Sequence, residues 1–224
     1  MAKVSALVSA YYAERFLSQR IFNLQGYQGD IQIVVVCQSG SPEEAIASQF
    51  NVTVVRTPGI PPLGEAWNLA IENATGDYLT TANTDDRFMM DGLETMVRVL
   101  DEHPEIGLVF AQVCVDGGGD LYPWKRIDDG TGEIADIEDL LFGRCIVGPM
   151  PVWRKAVHDE VGYFDETYTV ASDYDMWLKM AKAGVRFWYI DEPTGVYVKR
   201  QDSLEHRNKS LIPGEIRSIR SVNA

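Results

Sequence analysis

The sequence predicts an α/β fold in which a mostly parallel central sheet is flanked by helices. Short apolar runs alternate with amphipathic segments through the first 115 residues, as expected of successive β-α-β units. These runs are almost continuously apolar, as at residues 31–37, which is typical of parallel strands covered on both faces. No internal repeat or low-complexity segment interrupts the pattern.

The elements of the first half follow one another in order. Strands are predicted at residues 4–9, 31–37, 52–56, 78–82 and 107–115. Helices are predicted at residues 14–24, 42–48, 63–73 and 91–102. Gly26 and Gly76 separate elements, and Pro42 occupies the first position of a predicted helix. The alternation indicates a nucleotide-binding α/β unit.

The sequence changes character after residue 115. Residues 116–132 are irregular and carry Trp124 and Lys125, which we interpret as a candidate mobile lid. Residues 146–153 are apolar but interrupted by prolines, which predicts an edge strand or an extended loop. Residues 199–224 form a polar, basic tail. The remaining predicted elements are helices at 137–142, 155–160 and 173–183 and strands at 187–190 and 195–198.

Composition narrows the class of protein. The 224 residues carry a formal net charge of −13, which argues against a bulk electrostatic grip on nucleic acid. No run approaches 18 consecutive apolar residues, so no transmembrane helix is expected, and residues 1–10 lack the architecture of a signal peptide. Cys37, Cys114 and Cys145 are odd in number and lie in apolar runs, which indicates buried thiols in a reducing compartment. We therefore expect a cytoplasmic protein.

Two adjacent carboxylates, Asp85 and Asp86, follow the predicted strand at residues 78–82. Open α/β sheets bind their ligands at the carboxyl ends of the strands. Adjacent carboxylates repel each other unless a cation lies between them, and Mg²⁺ or Mn²⁺ is commonly held by one or two carboxylates together with substrate phosphates. A solvated turn that caps the helix beginning near Asp91 is the alternative, and this stretch alone leaves both interpretations open.

Glycine-rich phosphate loops are absent from the sequence. No G-x-G-x-x-G follows the first strand, and no G-x-x-x-x-G-K-[ST] occurs anywhere. A nucleotide bound by this chain would therefore depend on a metal ion for its phosphates, which favours the metal interpretation of Asp85 and Asp86.

Five segments resemble the motifs of family 2 glycosyltransferases, which are inverting enzymes of the GT-A type. They read V-S-A-L-V-S-A-Y-Y-A-E-R-F-L at 4–17, I-V-V-V-C-Q-S-G-S at 33–41, G-E-A-W-N at 64–68 with G-D-Y at 76–78, T-D-D at 84–86 and S-D-Y-D-M-W-L at 172–178. The resemblance spans residues 4–199. It implies a single GT-A domain over residues 1–224, with a nucleotide-sugar-binding half at 1–115, an acceptor-side half at 116–198 and the tail at 199–224.

The resemblance also implies roles on the donor side. Asp86 would bind the divalent cation, Mn²⁺ or Mg²⁺, that bridges the two phosphates of the donor, and Asp85 would contact the ribose or the metal shell. The residues that line up with other donor contacts are Ser9 and Tyr11 beside the base and Gly64 and Asn68 at the helix start beneath the donor.

Asp173 lines up with the general base of the family. An inverting transfer needs an acceptor hydroxyl that is deprotonated as it attacks, and a nearby carboxylate can accept that proton. Asp173 also has the character of a helix N-cap, which is the structural alternative. Trp153 and Arg154 are candidates for the acceptor site, with core packing of Trp153 as the alternative. His206 is a candidate third metal ligand, with a solvated histidine as the alternative.

The sequence departs from the family at the donor base. Cys37, Gln38 and Ser39 stand where the family often carries acids, although Gln38 or Ser39 could still hydrogen-bond to a base. Trp67 stands where an arginine is frequent, and Ala10 replaces a common threonine. These departures put the base selectivity of the donor site in question.

The sequence therefore predicts a metal-assisted, inverting glycosyltransferase. It would move a sugar from a nucleoside-diphosphate-sugar, with a UDP-sugar favoured, to the hydroxyl of a saccharide or another acceptor. The oligomeric state is open, with a homodimer among the alternatives. A non-catalytic nucleotide-sugar-binding module is the first rival. A sugar nucleotidyltransferase is the second, although the Gly-rich basic loop of that class is missing at residues 10–15. His103 and His158 are expected on helix surfaces.

Overall fold

The computed structural model describes residues 3–89, 91–118, 121–124, 127 and 130–223. Of the two residues interpreted as a candidate lid, Lys125 lies outside the described residues. The strands are β1 (Val4–Ser9), β2 (Ile31–Gln38), β3 (Thr53–Thr57), β4 (Tyr78–Thr81), β5 (Arg87–Phe88), β6 (Ile106–Asp116), β7 (Leu121–Trp124), β8 (Gly132–Glu133), β9 (Val152–Arg154) and β10 (Arg186–Val198).

The helices surround this sheet. They are α1 (Leu17–Gln25), α2 (Pro42–Ala47), α3 (Leu63–Glu72), α4 (Gly92–Glu102), α5 (Ile137–Gly143), α6 (His158–Val161), α7 (Ser172–Lys182), α8 (Leu204–Arg207) and α9 (Ile212–Val222). A short 3₁₀ helix, Lys155–Val157, precedes α6. Among the described residues, no helix has the length and apolar character needed to cross a bilayer.

One mostly parallel sheet runs through the described residues, with the strand order β3-β2-β1-β4-β9-β6-β10-β5. The pairs β3/β2, β2/β1, β1/β4 and β6/β10 are parallel. Strand β9 is antiparallel to both β4 and β6, so the major strands all run in one direction. Strands β7 and β8 pair with β6 and β10. This arrangement confirms the predicted α/β class.

Strand β9 corrects the prediction of an edge strand or loop at residues 146–153. It lies in the middle of the sheet, where Trp153 pairs with Leu79 of β4 and Leu108 of β6. Pro149 and Pro151 both precede the paired residues, so neither proline has to donate a hydrogen bond to the sheet.

Strand β10 also differs from the prediction. Residues 187–190 and 195–198 belong to one strand, whose pairing with β6 shifts in register on both sides of Pro193. Proline lacks a backbone N–H, which accounts for the irregularity at this point. The strand continues to Val198 and so reaches the same edge of the sheet as the carboxyl ends of β1, β2 and β4.

The core has two layers, one on each face of the sheet. Successive residues of a strand point to opposite faces, so Leu7 packs in one layer and Val8 in the other. The first layer includes apolar residues of α3 and α7, and the second includes those of α1 and α4. Of the cysteines, Cys37 is buried as expected, whereas Cys145 is exposed.

His158 is buried, which corrects its expected position on a helix surface. Its Nε2 accepts a hydrogen bond of 3.0 Å from Trp153 Nε1, and its Nδ1 donates to the carbonyl of Gly162 over 2.7 Å. Both contacts require the neutral ring with the proton on Nδ1. Burial lowers the pKa of His158 below its usual value of 6.5, against an opposing effect of the hydrogen bond to Gly162.

The neutral state of His158 predicts that stability falls in mild acid. The unfolded chain binds the proton more readily than the folded chain, so the stability present above pH 6.5 is lost as the pH falls below that value. Protonation of His158 places a second N–H donor opposite Trp153 Nε1–H, so this hydrogen bond is lost. The loss of one buried hydrogen bond costs about 1 kcal/mol of stability, which lowers the melting temperature by about 2–4 °C. Thermal melts at pH 7.5 and 5.5 measure this.

Two variants separate this effect from general acid sensitivity. His158→Gln removes the titrating ring and should have a smaller decrease in melting temperature between the two pH values than the wild type. His206→Gln, on the exposed helix α8, should keep the full decrease. Equal decreases in wild type and His158→Gln would contradict the assignment.

Helix α3 packs closely against the start of α7 at Gly64. A Cβ atom placed on Gly64 would lie 2.6 Å from Ser172 Oγ and 2.8 Å from the carbonyl oxygen of Asp165. Ser172 Oγ itself donates to that carbonyl over 2.8 Å. The absent side chain therefore allows the first turns of α3 and α7 to lie side by side.

Replacement of Gly64 by alanine should destabilise the protein. The new methyl group meets a backbone oxygen that cannot rotate away, so we expect a loss of about 1–3 kcal/mol in the free energy of unfolding. Urea denaturation measures this change. Gly214→Ala in α9 is the matched control, since a Cβ there has no neighbour within 4 Å and should leave stability unchanged or raise it by about 0.5–1 kcal/mol. A stability of Gly64→Ala equal to that of the wild type would show that α7 shifts freely.

Candidate active site

The predicted site residues of the donor side gather at the carboxyl edge of the sheet. Ser9 and Gln38 end β1 and β2, and the acidic pair follows β4. The end of β10 meets them, because the backbone N–H of Val198 donates to Asp86 Oδ1 over 3.0 Å. Strands from both halves of the chain thus meet at this edge.

Asp86 is a buried carboxylate, with only 2% of its surface exposed. Besides the bond from Val198, its Oδ2 accepts from Asn83 Nδ2 over 3.2 Å. Burial, and next the charge of Asp85, raise the pKa of Asp86 to about 7, against the opposing effects of these hydrogen bonds and of Arg20. Positive charge near Asp86 would therefore stabilise its ionised form.

Asp85 forms an ion pair with Arg200, which the sequence analysis did not select. Asp85 Oδ2 lies 3.1 Å from Arg200 Nη1, and the two side chains are 19% and 18% exposed. The guanidinium of Arg200 also lies 4.2 Å from the centre of the Phe16 ring and binds Asp202. The basic composition of the tail was the one signal in the sequence that pointed toward this residue.

Arg20 brings a second guanidinium to the acidic pair. Its side chain is fully buried on α1, where Nη1 donates to Asn23 Oδ1 over 2.8 Å. Its Nε and Nη2 have no hydrogen-bond partner among the described residues. Burial lowers the pKa of Arg20 to about 10, and the charges of Asp86 and Asp85 oppose this decrease. Arg20 therefore stays protonated at neutral pH and balances part of the charge of the pair.

The acidic pair fits a divalent cation. Carboxylate oxygens are the ligands that Mg²⁺ and Mn²⁺ prefer, and the raised pKa of Asp86 indicates a site with too little positive charge. The described residues contain no group of three His, Cys, Asp or Glu side chains arranged for a metal. The candidate third ligand, His206, is exposed on α8 and belongs to no such group among the described residues. Further ligands would have to come from the donor or from water.

Polar residues at the ends of β1, β2 and β3 form a second part of the site. Tyr11 Oη and Thr57 Oγ1 lie 2.9 Å apart, and the backbone N–H of Ser39 donates to the carbonyl of Thr57 over 2.9 Å. Burial raises the pKa of Tyr11, so its hydroxyl stays neutral. Gln38 is half-buried and Ser39 is exposed, which leaves both available for a base.

Asp173 lies in the first turn of α7 and is half-buried. The cap position of this helix is Ala171, so the structure does not support the N-cap alternative for Asp173. Its Oδ1 accepts from the backbone N–H of Tyr174 over 2.7 Å, which fixes one orientation of the carboxylate. Since α3 follows β3 and packs against α7 at Gly64, Asp173 lies at the same edge of the sheet as the acidic pair.

Glu215 of α9 secures the segment that leads into α7. Its carboxylate accepts hydrogen bonds of 2.8, 3.0 and 2.9 Å from three successive backbone N–H groups, those of Thr169, Val170 and Ala171. The N–H of Ala171, the N-cap residue of α7, is one that the helix itself leaves without a partner, and the other two lie in the segment just before it. No local pattern in the sequence indicates this contact, because the partners are more than 40 residues apart.

Two predicted substrate contacts are corrected by the structure. Asn68 is buried, and its amide bonds to the N–H and C=O of Phe164 and to Glu166, so its side chain holds the loop before α7. Trp153 is fully buried and packs edge-on against Trp177, which excludes it from the surface of an acceptor site. Core packing, the alternative interpretation, is correct for Trp153.

Comparison with known proteins identifies relatives over most of the chain. Residues 5–162 match the sequence pattern of Glycosyl transferase family 2. The glycosyltransferase YwdF of Bacillus subtilis, itself uncharacterised, is 25% identical over 67% of this chain and 57% of its own length. The amylovoran biosynthesis glycosyltransferase AmsB of Erwinia amylovora is 29% identical over 92% of this chain and 73% of its own length. The match to this chain thus spans little more than half the length of YwdF.

The fold is shared with TarS of Staphylococcus aureus. A crystal structure of TarS 1-349 in complex with UDP-GlcNAc superposes with a TM-score of 0.80 over 99% of this chain and 66% of that one. Sequence identity is 18%, so this likeness concerns the fold alone, and it confirms the predicted GT-A architecture. The pattern matched over residues 5–162 establishes that the chain belongs to glycosyl transferase family 2.

Proposed function

We propose that this chain is a metal-assisted, inverting glycosyltransferase that moves a sugar from a UDP-sugar to an acceptor hydroxyl. The observation that carries the proposal is the acidic pair, with Asp86 buried and Asp85 half-buried, at the same sheet edge as Asp173. The crystallised complexes of TarS with UDP-GlcNAc and with UDP support a nucleotide-sugar donor for this fold.

Asp86 and Asp85 would hold Mn²⁺ or Mg²⁺ on the donor side. The cation, when bound, offsets the charge that develops on the leaving diphosphate. The half-buried hydroxyl of Tyr11 and the side chains of Gln38 and Ser39 would bind the nucleotide base, since they surround the ends of β1 and β2. Neither Gln38 nor Ser39 is charged, so base recognition here rests on neutral hydrogen bonds.

Asp173 would act as the general base on the acceptor side. Its carboxylate, oriented by the N–H of Tyr174, accepts the proton of the acceptor hydroxyl as the hydroxyl oxygen attacks the anomeric carbon. The leaving diphosphate departs from the opposite face, toward the acidic pair, which inverts the configuration. Residues 1–115 would supply the donor side and residues 116–198 the acceptor side. Strands from both halves share the sheet, which supports one domain.

The variant Asp173→Asn tests the base. It keeps the shape of the side chain but cannot accept a proton, so turnover should fall by about 10²–10⁴-fold while UDP affinity is unchanged. Sugar transfer or donor hydrolysis and calorimetric UDP binding measure the two quantities. Asp139→Asn, the same change in the exposed first turn of α5, should behave as wild type.

Each alternative has its own outcome in this experiment. Undiminished turnover of Asp173→Asn would remove Asp173 from the role of base. A wild-type chain that binds the donor but neither transfers nor hydrolyses it would be a nucleotide-sugar-binding module.

The variant Asp86→Asn tests the metal. We expect wild-type UDP affinity to rise at least about tenfold when Mn²⁺ replaces EDTA, and this increase to be lost in Asp86→Asn. Calorimetric titration of UDP with and without Mn²⁺ measures the difference. Asp77→Asn, at the exposed opposite end of β4, should keep the wild-type increase. The same UDP affinity in Mn²⁺ and in EDTA for the wild type would overturn metal assistance.

A further inference from the structure

Arg200 is held at the acidic pair by contacts on three sides. Its Nη1 donates to Asp85 over 3.1 Å, and its Nε and Nη2 donate to the two carboxylate oxygens of Asp202 over 2.9 and 2.7 Å. The ring of Phe16 lies under the guanidinium at 4.2 Å. A planar guanidinium held in this way is pre-organised, and less conformational entropy is lost when it binds an anion.

The position of Arg200 is set by strand β10, which ends two residues before it. Val198 is the last residue of β10, and its N–H is bound to Asp86, so Arg200 lies two residues beyond a backbone group fixed in the site. The next backbone N–H, that of Lys199, donates to the carbonyl of Asp116 at the end of β6 over 2.8 Å. The backbone that leads to Arg200 is therefore fixed by hydrogen bonds to Asp86 and to the end of β6.

The charges around Asp85 have opposite consequences for a metal and for a diphosphate. Arg200 occupies one oxygen of Asp85 and adds a positive charge, so it opposes a divalent cation that arrives alone. A diphosphate is attracted by both the cation and the guanidinium. Arg200 is still 18% exposed, so part of its side chain is open to an anion from solvent.

We propose that Arg200 is a donor-binding residue that contacts the diphosphate, and that its ion pair with Asp85 makes metal binding depend on the presence of that diphosphate. This inference rests on the proposed function. It means that Arg200, a residue of the tail, takes part in recognising the leaving diphosphate. It also predicts an order in which the metal binds weakly alone and tightly with the donor.

Arg200→Gln tests the inference through binding alone. In Mn²⁺, we expect this variant to bind UDP about tenfold more weakly than wild type, while uridine, which has no phosphate, binds equally to both. Mn²⁺ without nucleotide should bind about threefold or more tightly to the variant, because Asp85 is released. Calorimetry gives all three affinities. Arg200→Lys keeps the charge and should retain UDP affinity between those of wild type and Arg200→Gln.

The control is Arg15→Gln, a neighbour that also contacts Phe16 and Asp202 but not Asp85. It should leave the affinities for UDP and Mn²⁺ as in wild type. Equal weakening of UDP and uridine by Arg200→Gln would show that Arg200 only shapes the loop, and unchanged UDP affinity would show that it does not touch the donor. Either result overturns the inference while leaving the proposed function intact. Failure of wild type to bind UDP with Mn²⁺ would instead overturn the proposed function itself.

Discussion

Burial of the Asp86 carboxylate is the constraint on which the organisation of the site depends. An ionised carboxylate removed from water must be matched by hydrogen bonds and opposite charge. The N–H of Val198 and the amide of Asn83 provide the hydrogen bonds, and the guanidinium of Arg20 contributes positive charge. These partners come from β10, the β4–β5 connection and α1, so one side chain joins three distant parts of the chain. Burial and the charge of Asp85 still raise the pKa of Asp86 to about 7, so the match is incomplete.

The position of α1 follows from the same constraint. Arg20 shares the buried face of the helix with Leu17 and Ile21, a place where a charged side chain is tolerated only with compensating groups. Asn23, one turn further, receives a hydrogen bond from Arg20 and bonds both the N–H and the C=O of Phe88 over 2.9 Å. The helix is thereby tied to the short strand β5 that follows the acidic pair. Charge balance and the local geometry of the pair are thus maintained by one face of α1.

The fold could be predicted from the sequence where a single segment carries its own signal. Apolar periodicity identified β1, β2 and α4, and the carboxyl-end rule placed the acidic pair at the correct edge. Long-range partners gave no such signal. Arg200 and Asp85 are 115 residues apart, and nothing near either residue indicates the other. Trp153 was misassigned because the type of a residue does not reveal the direction of its side chain, which depends on the central placement of β9.

The tail, residues 199–224, makes several long-range contacts that its sequence does not indicate. In the sequence it is a polar, basic segment, yet it supports both sides of the site. Arg200 binds Asp85 of the acidic pair, and Glu215 on α9 binds three backbone N–H groups before α7, which carries Asp173. Ile219 anchors α9 in the core of the protein, so the orientation of α7 depends on how α9 packs. A change that loosens α9 therefore acts on the proposed base without touching it, through the hydrogen bonds of Glu215 to the segment before α7.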